Sequence, residues 1–219
     1  MAQQTLLENW LKSHGQPLKS SCSNAKIPVC CDTMASNKAR LSTWLNAKEA
    51  KQQLPPKAWE LISLTGSLTK HLRQITDHVI EHRLLFANWR SATPGEQKAL
   101  RLADNETTWI RDIEWRYHNR RWVYARVVIP QSTITATQTP FPALGVQSLG
   151  EILFVDNAIR RDAFCFLPLD KNNSDYPAIA SSTNDNNPPW ARRCVIYHQN
   201  APLLITEIFF PEAYARTTT

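Results

Sequence analysis

The clearest pattern in the chain is the alternation of apolar and polar residues on both sides of His118-Asn119. Tryptophan, valine, tyrosine and isoleucine crowd residues 109–130, and asparagine tolerates the positive φ angle that a two-residue hairpin turn requires. The sequence therefore predicts a β-hairpin here. A second hairpin is predicted to turn at Gln199-Asn200, and its last strand is strongly apolar.

The register of the first hairpin determines which of its arginines share a face. If Tyr117 pairs with Arg120, a regular ladder places Arg111 opposite Arg126, on one face of the sheet. Like charges directly across a ladder destabilise it by roughly 0.2–1 kcal/mol. The neighbouring acid Asp112 falls on the other face by parity, so the pattern favours a functional role for the arginines. Two guanidinium groups suit a small dianion, because each can bind a carboxylate through two hydrogen bonds.

Helices are predicted before and between the hairpins. The remaining predicted elements are a helix over 56–64, a helix capped by Ser67, a strand over 78–89, a loop at 91–97, a short helix opened by the Ser148/Glu151 capping box, and a surface loop over 170–190. Strands joined by hairpins, with separate helices, predict an α+β fold with an antiparallel sheet in a single domain.

The N-terminal part of the chain differs from the rest. Residues 1–50 are polar with short apolar clusters, which predicts an appended and partly disordered extension. Residues 51–219 are predicted to form the folded domain.

Composition narrows the possible functions. The net charge is +6, but the basic residues are scattered among 19 acids, so we expect no nucleic-acid binding. The chain has neither a secretory signal nor an apolar window of about 18 residues, so we expect a cytoplasmic protein without an integral membrane segment. Five cysteines form an odd set and predict reduced thiols. The spacing of Cys22, Cys30 and Cys31 does not fit a zinc site.

Glu207 is an acid inside the apolar stretch LLITEIFF. A buried carboxylate requires a cationic partner, a protonated state or a cavity. Two interpretations stay open: an internal salt bridge to an arginine such as Arg192, or a role in a binding pocket. The helix start at Leu149-Gly150 adds backbone N–H groups that can bind an anion. Together, these features predict a pocket on the sheet for an aromatic or cyclohexadiene acid.

Six blocks of sequence, in this order, resemble the chorismate lyase family of bacterial ubiquinone biosynthesis. They are TGSLTK (65–70), WIRDI (109–113), ARVVIPQST (125–133), LGVQSLGEILF (144–154), WARR (190–193) and APLLITEIFFP (201–211). The similarity spans about residues 55–211. It implies a cytosolic, cofactor-free α+β protein with helical flaps over an internal product site. We also expect a monomer that needs no metal.

The resemblance implies a role for each candidate site residue. Arg111 would bind the ring carboxylate of 4-hydroxybenzoate, with the backbone N–H of Leu149 as a second donor. Glu207 would contact the ring hydroxyl, near the backbone of Leu68 in the flap. Arg126 matches the second active-site arginine and would stabilise charge on the departing enolpyruvyl oxygen. The implied reaction converts chorismate to 4-hydroxybenzoate and pyruvate by elimination with aromatisation.

Two alternatives remain at this point. The first is a non-enzymatic domain of the same fold that binds a small aromatic acid, as in the ligand-sensing half of some transcription regulators. Residues 1–50 are too short and too weakly patterned for the winged-helix domain that normally precedes such a sensor. The second is a related chorismate-using enzyme that releases a different hydroxybenzoate. Incubation with chorismate would distinguish them.

Overall fold

A computed structural model describes residues 43–145, 147, 149–153, 159–181 and 187–215. In chain order the elements are α1 (Ala47–Gln53), α2 (Pro56–Ile62), α3 (Leu68–Ile75), β1 (Glu81–Arg90), α4 (Pro94–Leu100), β2 (Thr108–Tyr117), β3 (Arg120–Pro130), α5 (Gln131–Thr137), a 3₁₀ helix (Phe141–Leu144), α6 (Leu149–Leu153), β4 (Ile159–Arg161), β5 (Cys165–Pro168), α7 (Pro177–Ala180), β6 (Trp190–His198), β7 (Ala201–Phe209) and α8 (Pro211–Ala215). No helix within these ranges is long and apolar enough to cross a membrane.

The strands form one seven-stranded antiparallel sheet. Its order is β1-β2-β3-β7-β6-β4. Strand β4 pairs with the C-terminal end of β6, and β5 pairs with the N-terminal half of β6 along the same edge. Both predicted hairpins are present, and the turn residues His118, Asn119, Gln199 and Asn200 all have positive φ angles. Pairing of β3 with β7 joins the hairpins into one sheet. The predicted α+β class with an antiparallel sheet in a single domain is therefore confirmed.

The predicted register of the first hairpin is wrong beyond its tip. Tyr117 pairs with Arg120 as expected, but a β-bulge at Trp122 shifts the ladder by one residue. Arg111 consequently pairs with Val127, and Arg126 pairs with Asp112. Because side chains alternate between faces, a one-residue shift moves a side chain to the other face of the sheet. Arg111 and Arg126 therefore lie on opposite faces.

The helices cover both faces. We call the face with Arg111 and Glu207 the front face. It is covered at one end by α1, α2, α3 and α8 and at the other by α5, the 3₁₀ helix and α6. The back face carries Arg126 and is covered by α4, α7 and the chain around Trp44. The front face thus has two apolar clusters, and the candidate site lies between them.

Several local predictions are confirmed and others need correction. Helix α2 starts at Pro56, and β1 overlaps the predicted strand over 78–89 but ends one residue later, at Arg90. The Ser67 hydroxyl accepts a hydrogen bond from the Lys70 N–H at the start of α3. The predicted loop at 91–97 is wrong, because a Thr93/Glu96 capping box starts α4 there. The stretch 170–190 contains α7 and buried side chains, so it is partly packed into the fold. The predicted Ser148/Glu151 capping box lies outside the described residues.

Residues 43–50 pack with the folded domain. Trp44 is buried on the back face beneath the Arg193 guanidinium, whose carbon lies 4.0 Å from the ring centroid. The Leu45 backbone exchanges hydrogen bonds of 2.7 and 2.9 Å with Phe166. The predicted boundary between residues 50 and 51 falls inside α1. The predicted extension over residues 1–42, with Cys22, Cys30 and Cys31, lies outside the described part of the chain, while Cys165 and Cys194 are buried free thiols.

Two truncations should therefore behave differently. Deleting residues 1–42 is expected to change the free energy of unfolding little, because Trp44 and the Leu45 pairing remain. Deleting residues 1–48 should cost about 3–5 kcal/mol more, the usual cost of removing a buried tryptophan side chain. Denaturant titration of both truncated proteins measures the difference. Equal unfolding midpoints would show that Trp44 contributes nothing to the stability of the domain.

Candidate active site

A cavity of about 100 Å³ lies on the front face of the sheet. Its floor is formed by β2, β3, β6 and β7, and its walls come from residues 66–69 at the start of α3 and from α6. The lining is mostly apolar but contains several charged side chains. The residues that matter for its chemistry are Leu68, Arg111, Leu149, Arg161, Arg192 and Glu207.

Arg111 is held in place by backbone carbonyls and keeps one donor free. Its Nε and Nη2 donate to the Gly145 carbonyl at 3.2 and 3.1 Å, and Nη2 also donates to the Gln147 carbonyl at 2.7 Å. The residue is 2% exposed, and Nη1 has no hydrogen-bond partner among the described residues. Burial lowers the pKa of Arg111, yet an arginine stays protonated in proteins. The geometry therefore presents a buried, oriented cation to an anionic ligand.

Gly145 makes this arrangement possible. It lies directly after the 3₁₀ helix with φ 53° and ψ −123°. A residue with a Cβ is strained at this positive φ, so glycine suits the position. The resulting chain path directs the Gly145 carbonyl at the Arg111 guanidinium.

Glu207 both forms a salt bridge and lines the cavity. Its Oε2 accepts a hydrogen bond of 2.6 Å from Arg192 Nε, and the two residues face each other across the β6–β7 ladder. Arg192 Nη1 also donates to the carbonyls of Ile62 and Leu64, at 2.8 and 2.6 Å. The predicted partner Arg192 is thus present, and the carboxylate nevertheless remains part of the cavity wall.

Leu68 and Leu149 lie at helix starts on two sides of the cavity. They are the first residues of α3 and α6, and both side chains are buried. The first N–H groups of a helix have no intrahelical acceptor. Four of the five predicted site residues, Leu68, Arg111, Leu149 and Glu207, are therefore brought together around one cavity.

Arg126, the fifth predicted residue, does not reach this cavity. It lies on the back face, where its Nε is 2.8 Å from Glu96 Oε1 and its Nη1 is 3.2 Å from Asp112 Oδ2. Burial would lower the pKa of Arg126, but these two carboxylates outweigh that effect and raise it. The cause of the misplacement is the bulge at Trp122, which no local sequence pattern indicated.

Most other cavity residues were not predicted as ligand contacts, among them Arg161, Arg192 and His82. Arg192 was predicted only as a partner of Glu207. His82 stacks on Trp115 with ring centroids 5.2 Å apart. Arg161 belongs to the short strand β4, whose pairing with the end of β6 no turn motif specifies. Parity along β6 was the only signal that could have placed Arg192 beside the cavity.

Comparison with known proteins shows the family of the chain. Residues 38–219 match the family model for chorismate lyase. A probable chorismate pyruvate-lyase of Coxiella burnetii is 35% identical over 153 residues, covering 70% of this chain and 82% of the relative. A probable chorismate pyruvate-lyase 2 of Pseudomonas entomophila is 30% identical over 169 residues, covering 77% of this chain and 88% of the relative.

Among solved structures, the C-terminal domain of a histidine utilization repressor from Pseudomonas syringae is similar. It has a TM-score of 0.47 and 9% identity, and the match covers 61% of this chain and 93% of that domain. The family match, by contrast, extends over most of the chain and includes every residue that lines the cavity. The chain therefore belongs to the chorismate lyase family.

Proposed function

We propose that the protein is a chorismate pyruvate-lyase, a carbon–oxygen lyase that converts chorismate to 4-hydroxybenzoate and pyruvate. The observation that carries this proposal is that one cavity is lined by both Arg111 and Glu207. The buried Nη1 of Arg111 has no hydrogen-bond partner among the described residues, and Glu207 supplies a carboxylate. A cation at one end and an anion at the other suit a ring that bears a carboxylate and a hydroxyl. The names of the relatives support the same reaction.

The product would bind with its ring across the apolar floor of the cavity. Arg111 Nη1 would donate to the ring carboxylate, and the backbone N–H of Leu149 would add a second hydrogen bond. Ile113 and Val127 from β2 and β3 would contact the flat ring. The ring hydroxyl would reach Glu207, near the backbone of Leu68. Each polar group of 4-hydroxybenzoate would then have a partner.

The reaction is an elimination. The C–H bond at the hydroxyl-bearing carbon breaks, its electrons enter the ring, and the ether bond at the neighbouring carbon breaks. The departing enolpyruvate takes up a proton and becomes pyruvate. Aromatisation supplies the driving force, so the chain's residues need to supply orientation and electrostatic stabilisation. Glu207 would orient the hydroxyl and handle the proton.

The pathway, the location and the oligomeric state are further parts of the proposal. Conversion of chorismate to 4-hydroxybenzoate would be the first step of ubiquinone biosynthesis, carried out in the cytoplasm by a monomer. The proposed elimination requires no cofactor, because aromatisation drives it.

The decisive experiment is to incubate the purified protein with chorismate and identify the products. Equal amounts of 4-hydroxybenzoate and pyruvate are expected. Formation of another hydroxybenzoate would assign the protein a different chorismate-using reaction. Recovery of unchanged chorismate, together with tight binding of 4-hydroxybenzoate, would indicate a non-enzymatic sensor.

Arg111→Ala should weaken binding of 4-hydroxybenzoate by about 2–4 kcal/mol, because the ligand carboxylate would lose a charged, buried hydrogen-bond donor. Isothermal titration calorimetry measures the affinity. Arg116→Ala is the matched control, since Arg116 lies on the same strand but pairs with Glu114 away from the cavity. Equal affinities for the Arg111 variant and the control would remove Arg111 from the binding site.

A further inference from the structure

Chorismate carries two carboxylates, whereas the product 4-hydroxybenzoate carries one. Binding of chorismate therefore requires a partner for the second carboxylate. If Arg111 binds the ring carboxylate, the enolpyruvyl carboxylate requires another cation. Arg126 cannot supply it, because it lies on the back face between Glu96 and Asp112. Among the described residues, the arginines that line the cavity are Arg111, Arg161 and Arg192.

Arg192 is already committed to other partners. Its Nε donates to Glu207, and its Nη1 donates to the carbonyls of Ile62 and Leu64. The residue is 2% exposed, and its guanidinium carbon lies 4.4 Å from the Phe164 ring centroid. These hydrogen bonds occupy the Nε and Nη1 groups of Arg192 and leave Nη2 as its remaining donor group for a substrate carboxylate.

Arg161 makes few hydrogen bonds to the described residues. Its Nη2 donates to the Thr65 carbonyl at 3.2 Å, and no carboxylate in the described residues pairs with it. The side chain is exposed, and its guanidinium carbon lies over the Phe164 ring, 4.8 Å from the centroid. Thr65 directly precedes residues 66–69, which form a wall of the cavity. Arg161 therefore sits where the cavity meets solvent, with most of its donors unused by the residues that the structure describes.

Phe164 contacts both cations. The Arg161 and Arg192 guanidinium carbons lie 4.8 and 4.4 Å from its ring centroid, and Arg192 is paired with Glu207 whereas Arg161 is not. Among the described residues that line the cavity, three arginines and one glutamate leave two positive charges in excess, which matches a dianion. The product, which lacks the enolpyruvyl group, has one carboxylate and needs only Arg111.

We propose that Arg161 binds the enolpyruvyl carboxylate of chorismate at the mouth of the cavity, an assignment that rests on the proposed function. It makes Arg161 a residue that distinguishes substrate from product. Loss of its guanidinium should weaken the interaction with chorismate and leave the affinity for 4-hydroxybenzoate unchanged.

The test compares Arg161→Ala with Arg160→Ala. Arg160 is the neighbouring residue on β4 with the same charge, but it pairs with Asp162 at 2.8 Å and stacks on Tyr197, with 3.6 Å between the guanidinium carbon and the ring centroid. Arg161→Ala should reduce kcat/KM for chorismate at least about tenfold, the effect expected for a charged hydrogen-bond partner. Its Kd for 4-hydroxybenzoate should stay within about twofold of the unmodified protein, and Arg160→Ala should change neither constant. Arg161→Lys should recover part of the loss.

Equilibrium binding of chorismate to the Glu207→Gln variant, with and without Arg161→Ala, separates this proposal from the proposed function. Weaker binding of chorismate with unchanged binding of 4-hydroxybenzoate would support the assignment even if the unmodified protein did not turn over chorismate. Equal losses for both ligands, or a loss no larger than that of Arg160→Ala, would overturn it. An unmodified protein that leaves chorismate intact would refute the proposed function alone.

Discussion

Replacing Glu207 by glutamine is expected to reduce turnover of chorismate by roughly 10²–10⁴, the usual contribution of a positioned proton-handling group. Glutamine retains the shape of the side chain and a carbonyl oxygen that can accept from Arg192 Nε, which lies 2.6 Å from the carboxylate. It cannot take up a proton from the substrate. The defect should therefore appear in kcat, while the cavity keeps its form and its affinity for 4-hydroxybenzoate falls less.

The same substitution should also cost stability, because Arg192 would lose a charged partner in a buried setting. The expected loss is about 1–3 kcal/mol, since the amide leaves the hydrogen bond in place but removes the charge. Glu114→Gln is a matched control. Glu114 is buried in β2, pairs with Arg116 and Arg121, and does not line the cavity. Its amide variant should lose stability without a comparable loss of turnover.

Thermal unfolding and turnover should be measured on both variants at a temperature at which each is folded. If Glu207→Gln unfolds at a much lower temperature yet converts chorismate at a near-normal rate when cold, Glu207 is a structural partner of Arg192 alone. A turnover loss as large in Glu114→Gln would have the same meaning, because it would trace the effect to general destabilisation.

The two hairpins show what the sequence can and cannot predict about register. In the second hairpin, counting back from the turn at Gln199-Asn200 in a regular ladder gives the observed pairing of Arg192 with Glu207. In the first, the same counting fails from Trp115 onwards, because a bulge inserts Trp122 and pairs Trp115 with Val123. The bulge allows Trp122 and Val123 both to pack into one front-face cluster. This packing depends on helices that are distant in sequence, so no local sequence pattern predicts the bulge.

Helix α4 has a helix-start motif in its sequence, although a loop was predicted there. Thr93, Pro94 and Glu96 have the spacing of a capping box with proline at the first helical position, and the structure forms both capping hydrogen bonds. Burial of this helix is a tertiary effect. A Cβ on Gly95 would lie 2.0 Å from the Asp175 carboxylate, so the loop after β5 can approach α4 only at glycine. Gly95 and Asp175 are far apart in sequence, so the local sequence does not predict this contact.

Among the single substitutions, the largest expected loss of stability comes from Arg126→Ala. Arg126 lies between two carboxylates that are 1% exposed in Glu96 and 9% exposed in Asp112. Removing the cation leaves both acids buried without it, and breaking a buried pair in this way costs about 3–5 kcal/mol. Arg121→Ala is the comparison, because Arg121 lies on the same strand and its side chain is 36% exposed beside Glu114. Its loss should be smaller, since Glu114 keeps Arg116 as a second cationic partner.

The loss should depend on pH in a definite direction. Burial raises the pKa of both Glu96 and Asp112 in the folded protein, although Arg126 opposes the increase. Without Arg126 these pKa values should rise further, while those of the unfolded chain stay near 4. Between the unfolded and folded pKa values the folded state binds more protons, so stability increases as pH falls through that range. The deficit of Arg126→Ala should thus be largest near pH 8 and smaller near pH 5.

Denaturant titrations at pH 5 and pH 8 measure this change, and binding of 4-hydroxybenzoate reports on the cavity in the same samples. The structure predicts an unstable variant whose folded fraction binds the product normally, because Arg126 and the cavity lie on opposite faces of the sheet. A deficit that grew towards acid pH would contradict the assignment of buried, proton-binding carboxylates. A stable variant that bound product but failed to convert chorismate would instead show that Arg126 is needed for the reaction. Its effect would then have to reach the cavity from the back face, through the Asp112–Arg126 pair on β2 and β3.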